Sequence, residues 1–174
     1  MDILVSSNLE RLLYHVTGSD AEVAALMKSL TETGSYTVRP ETLKTIQESF
    51  GCGWSSEEQV AGEIRARYEQ NGYLCDTHTA VAVKVYEDYR KETGDTTKTL
   101  IASTASPYKF TSSVLAAIAP EYDTLPVLEQ VDKLSALANT EIPRAIEEIR
   151  TAPVLHTTEC DVDQMPETVR AFLK

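Results

Sequence analysis

The chain has 174 residues, enough for one domain that buries roughly 68–70% of the surface its unfolded form exposes. Apolar residues at 42% and charged residues at 25% are ordinary for a globular protein and exclude a disordered or collagen-like chain. With 27 acidic against 16 basic residues the net charge is -11, which repels a phosphate backbone, so no nucleic-acid partner is expected.

The opening "MDILVSSNLERLLYHVTG" carries a short apolar segment from Ile3 to Val5, then Ser6, Ser7 and Asn8 as candidate helix caps. Leu9, Leu12, Leu13 and Val16 follow at helical spacing and Gly18 is the stop. Ser19 and Asp20 cap a second helix through Val23, Leu26, Met27 and Leu30, ending at Gly34. After a brief extended piece, "YTV", Pro40 opens a third helix through Leu43, Ile46 and Phe50. In "SSEEQVAGEIRARYEQNG" a capping box is available twice, Ser55 with Glu58 or Ser56 with Gln59, and Gly72 ends that helix. Asp76 or Thr77 then caps a helix from about His78 to Lys91, apolar nearly all round in its first half and charged in its second. Residues 99–102 of "TLIASTASPYKF" form a strand candidate that ends in a row of hydroxyls. Further helices are predicted around "SSVLAAIA", "LPVLEQVDKLSALAN", "PRAIEEIR" and "MPETVRAFL", with "APVLHTTEC" as a late strand candidate.

The expected fold class is α/β, helix-rich with a few-stranded, mostly parallel sheet. That sheet is small for so many helices, which hints at a part of something larger. No apolar stretch approaches the roughly 20 residues that span a bilayer, and no basic-then-apolar leader opens the chain, so a cytoplasmic protein without a membrane partner is expected. Cys52, Cys75 and Cys160 are odd in number and scattered, which argues against a disulfide framework and suits a reducing compartment. Cys75 with His78, and His156 with Cys160, have spacings that suggest a metal, but no C-x-x-C accompanies them and no metal site is expected.

In an open α/β sheet, ligands gather beyond the carboxyl ends of strands, where Ser103 and Thr104 stand in this reading. Such hydroxyls bind a heteroaromatic nitrogen without adding charge. They also commonly make local turns before a proline, here Pro107. Lys109, set between Tyr108 and Phe110, reads either as a phosphate or Schiff-base lysine or as a snorkelling surface residue.

Three motifs in order, "MDILVSSNLERLLY", "NGYLCDTHTAVAV" and "IASTASPYKF", resemble the C-terminal part of threonine synthase, whose segments read like "MDIL-SSNFERLL", "GY-DPHTAVA" and "GTAHPAKF". The resemblance implies an enzyme that uses pyridoxal 5'-phosphate to convert O-phospho-L-homoserine and water into L-threonine and phosphate. It implies a place for residues 1–174 in a larger tryptophan-synthase-beta-like, fold type II architecture. It further implies that Thr104 meets the pyridine nitrogen of the cofactor, with Ser103 as a secondary contact. Asn8, Arg11, Lys109 and His78 match family positions and are carried over as candidate substrate contacts. Ser106 stands where the family has His, and Thr77 where it has Pro. The family's Schiff-base lysine and glycine-rich phosphate loop belong to an N-terminal region without a counterpart here, so that region is the expected partner. The chain alone is expected to be inactive and not to hold the cofactor. The rival reading is a non-catalytic, acidic helical domain that docks onto another protein.

Overall fold

A computed structural model describes residues 5–173. The segment Ile3 to Val5 therefore lies almost wholly outside the described residues. The chain divides into two compact units, residues 1–53 and 54–174.

The first unit contains α1 (Ser7–Thr17), α2 (Asp20–Thr33) and α3 (Pro40–Gln47). Ser6 caps α1, and Ser19 caps α2 by accepting from the Glu22 amide at 3.2 Å. Gly18 and Gly34 close these helices at φ 63° and 76°, a left-handed conformation that costs glycine little. Leu13 and Val23 are the buried apolar contacts, joined by Thr42 of α3. Arg39, just before α3, donates from Nε to Glu22 of α2 at 3.0 Å.

The second unit is built from α4 (Glu57–Asn71), α5 (Thr77–Thr93), a 3-10 turn (Pro107–Phe110), α6 (Thr111–Ile118), α7 (Val127–Ala138), α8 (Arg144–Thr151) and α9 (Met165–Phe172). Of the two capping boxes the sequence offers, the one formed is Ser56 with Gln59, at 3.3 and 2.8 Å. Asp76, not Thr77, caps α5.

The core joins Val60 and Ile64 of α4, Cys75 and Ala80 at the start of α5, Tyr108 of the turn, Val114, Leu115 and Ala117 of α6, and Val131 and Leu134 of α7. Several polar groups that reach this layer are hydrogen-bonded. Buried Gln130 donates to the carbonyls of Asp123 and Leu125 at 2.9 and 3.0 Å and accepts from Ser112 at 2.6 Å. Tyr68 of α4 donates to the Leu137 carbonyl at 2.8 Å, and Arg65 to the Ala117 carbonyl at 2.8 Å. By contrast α8 and α9 bury no residue completely. Arg150 of α8 forks onto Asp132 of α7 at 2.7 and 3.1 Å, while Met165, Val169 and Phe172 of α9 stay exposed.

The expected α/β class, with its mostly parallel sheet, is overturned: among the described residues every regular element is helical and no strand forms. All three extended candidates are loops, "YTV", residues 99–102 and "APVLHTTEC". Strand identity is a property of pairs, because lone extended backbone leaves its N–H and C=O groups without a ladder. Leu100 is 100% exposed, and Val154 and Leu155 are 81% and 77% exposed, so neither longer candidate lies against an apolar layer.

Because Leu115 is completely buried and Leu155 is not, Leu115→Ala should lower the unfolding free energy by about 2–5 kcal/mol, and Leu155→Ala by no more than about 0.5 kcal/mol. Urea unfolding of both variants checks the contrast.

Candidate functional site

The N-terminus of α5 and the chain from residue 99 to Phe110 meet in the second unit. Asp76 is 0% exposed and accepts from the amides of His78 and Thr79 at 2.8 and 3.3 Å, the pairing that an N-cap carboxylate supplies. The Thr79 hydroxyl is hydrogen-bonded to the other Asp76 oxygen and lies 3.1 Å from Ser103 Oγ. Ser103 and Thr104 are themselves exposed.

His78 and Lys109 converge on one ring. The His78 imidazole lies 4.9 Å from the Phe110 ring, centroid to centroid, and its Nδ1 is 3.5 Å from Asp76 Oδ1. Lys109 Nζ stands 5.5 Å from the same ring centroid, within cation–π range. The 3-10 turn that carries both aromatics begins at Ser106, whose hydroxyl accepts from the Tyr108 amide at 3.2 Å. Tyr108 anchors the turn through its own hydroxyl, 2.7 Å from Thr140 Oγ1. Ser106, at the position where the resemblance expects His, therefore acts as a cap.

Asn8 and Arg11 lie in the first unit, on the exposed face of α1, and Arg11 donates to Asn8 Oδ1. They sit beside an open groove of about 440 Å³ between α1 and α2, lined by Arg11, Glu10, Tyr14 and Asp20 among others. One guanidinium thus shares the groove with two carboxylates, which tempers its pull on an anion.

Between α4 and the second half of α5 is a charged cluster that sequence reasoning did not single out. Glu63 of α4 is 6% exposed, and Arg67 Nε lies 2.8 Å from its carboxylate while Arg67 also reaches Glu87 of α5 at 3.1 Å. The Glu63 contact is one of charge, since neither atom of the pair has an aligned hydrogen-bond partner. Burial, then Glu87, push the Glu63 carboxyl above its ordinary range, against the opposing pull of Arg67. The neighbouring Cys75 thiol is raised by burial to about 11. It is therefore protonated at neutral pH and unfit as a nucleophile. Cys52 and Cys160 are exposed. No group of three metal-ligating side chains assembles among the described residues.

Thr79 was also absent from the sequence reading. Its one signal is position: three residues after the cap, where a side chain can return to the cap itself.

The family model described as "Threonine synthase, C-terminal" matches residues 79–169, just over half the chain. A threonine synthase of Schizosaccharomyces pombe is 34% identical over 135 residues, covering 71% of this chain and 26% of that protein. One from Pseudomonas aeruginosa is 31% identical over 145 residues, covering 80% of this chain and 30% of that protein. The crystal structure of a PLP-bound threonine synthase from Brucella melitensis superposes with a TM-score of 0.71 at 29% identity, covering 98% of this chain and 33% of that one. The chain thus spans less than a third of the length of these two curated relatives.

Two predictions follow from the buried groups. A carboxyl whose folded-state pKa is raised contributes stability that is fully present below its unfolded value of about 4.5 and is lost as pH rises through the folded value. Glu63→Gln removes that loss, so its melting temperature relative to wild type should climb as pH rises above about 4.5. A flat difference would show that Glu63 does not ionise against its burial. At neutral pH a maleimide should modify Cys52 and Cys160 in the folded chain and reach Cys75 only after denaturation, as read by mass spectrometry of the alkylated peptides.

Proposed function

The chain belongs to the threonine synthase C-terminal family, and from that premise we propose that residues 1–174 are the C-terminal portion of a cytoplasmic, pyridoxal-phosphate-dependent threonine synthase. The whole enzyme is a carbon–oxygen lyase acting on phosphate: it converts O-phospho-L-homoserine and water to L-threonine and phosphate in threonine biosynthesis. The observation that carries the reading is the family match across residues 79–169, which takes in both Ser103 and Thr104.

The described residues suit one part of the cofactor and not another. Thr104 is exposed, uncharged and without a hydrogen-bond partner among the described residues, so its hydroxyl is free for a ring nitrogen. The phosphate finds no comparable cradle. Gly18, Gly34, Gly72 and Gly94 all serve as helix C-caps rather than as an anion-binding turn. The phosphate grip and the covalent lysine are assigned to the N-terminal region of the enzyme, which makes that region the necessary partner.

When bound, pyridoxal phosphate supplies the electron sink for elimination chemistry. Thr104 offers the ring nitrogen a neutral hydroxyl, which permits an uncharged ring where a carboxylate would hold it protonated. Ser103 supports that contact. Lys109 and His78, gathered on Phe110, present cationic and polar groups to an anionic substrate. Arg11 and Asn8 of α1 are candidate substrate contacts by their match to family positions alone.

The test supplies the N-terminal portion of the Schizosaccharomyces pombe enzyme in trans. Phosphate release from O-phospho-L-homoserine should appear only in the mixture and fall roughly tenfold with Thr104→Ala, the loss of one hydrogen bond worth about 1.4 kcal/mol. A reducible pyridoxal-phosphate adduct on the isolated chain that vanishes with Lys109→Ala would overturn the assignment of the lysine. A tight complex that releases no phosphate would favour the acidic docking-domain reading instead.

A further inference from the structure

The stretch between α5 and the 3-10 turn has no partner strand, yet the proposed cofactor contact sits in it. Its two ends are fixed locally. Asp95 accepts from the Thr97 amide and from the Tyr89 hydroxyl, each at 2.8 Å, and Ser106 caps the turn. Between those ends Ile101 and Ala105 are half-buried, and among the described residues the one hydrogen bond from residues 99–105 to another element is that of 3.1 Å between Thr79 Oγ1 and Ser103 Oγ.

Thr79 is suited to the task. Thr17, Thr31, Thr45 and Thr93 turn their hydroxyls back onto the carbonyl four residues earlier in their own helices, the usual local bond for threonine. Thr79 instead donates its one hydroxyl proton to Asp76, which leaves its oxygen to accept from the Ser103 hydroxyl. It is 3% exposed, and Asp76 behind it is fully buried and held by two α5 amides.

We infer that Thr79, oriented by Asp76, is a positioning residue that holds Ser103 and, through the backbone, sets the place of Thr104. The consequence for cofactor contact rests on the function proposed above; the tether itself does not.

The test uses ¹⁵N relaxation on the full 174-residue chain. Wild-type order parameters at Ser103 and Thr104 should be close to the rigid value of about 0.85, and in Thr79→Val they should drop below about 0.6 while α4 and α6 stay rigid. Thr79→Ser should restore the wild-type values, which a purely steric role for the side chain would not do. Ser103→Ala, an exposed site that leaves α5 intact, should loosen the segment as Thr79→Val does and covers the case in which the buried variant fails to fold. A segment already mobile in wild type, or one equally ordered in Ser103→Ala, overturns the inference. If the segment loosens as expected but Thr104→Ala leaves phosphate release in the mixture unchanged, the tether stands and the cofactor reading falls.

Discussion

Eight residues with almost no face to give to water set the arrangement of the second unit. In α6 the sequence "TSSVLAAI" buries Thr111, Val114, Leu115 and Ala117, so α4 must cover one flank and α7 another. A helix this short is marginal alone, and its stability comes from that enclosure. The 3-10 turn that leads into α6 is fixed by the same packing, because Tyr108 belongs to the core. Phe110, two residues on, is thereby placed under His78 and Lys109. The cluster of His78, Lys109 and Phe110 is thus attached to the core through the turn and the start of α5.

Local physics was legible in the sequence, and long-range pairing was not. Ser6, Ser19, Ser56 and Asp76 at the N-caps and Gly18, Gly34, Gly72 and Gly94 at the C-caps are short-range signals, and each marks a real helix end. The strand candidates failed because apolar runs such as residues 99–102 look the same whether or not a neighbouring chain pairs with them. The half-apolar reading of α5 held at its start, where Thr79 and Ala80 are buried, while Val81, Val83 and Val85 are only half covered. Of the three scattered cysteines, Cys75 alone is buried.

The site shows the same division. Ser103 and Thr104 were singled out by a strand end that does not form, Lys109 by its aromatic neighbours, and all three with His78 by motif resemblance; the second unit gathers His78 with Lys109 and ties Ser103 to α5. What joins them was invisible: Phe110 beneath two side chains from separate segments, and Thr79 between a cap and a loop. Asp76 was read only as a cap because capping is a local function, whereas its second role depends on a chain segment more than twenty residues away. The Glu63–Arg67–Glu87 cluster was missed for a related reason. Three charges on amphipathic helices look like solvated surface until the packing of α4 on α5 removes the water from one of them.

The segment that holds Ser103 and Thr104 is ordered by a close balance. Fixing one residue's backbone costs about 1–2 kcal/mol, whereas one hydrogen bond returns only about 0.5–1.5 kcal/mol. A single bond from Thr79 therefore cannot order seven residues by itself. Its leverage comes from the ends. Hydrogen bonds from Thr97, then from Tyr89, stabilise the Asp95 carboxylate enough to hold its pKa down to about 2, so that anchor persists across the physiological pH range. At the other end Ser106 and Tyr108 fix the turn. With both ends set, few conformations remain for the residues between them, and one bond from a buried hydroxyl selects among those few. The same arrangement leaves Leu100 and Thr104 exposed with little of their own to hold them.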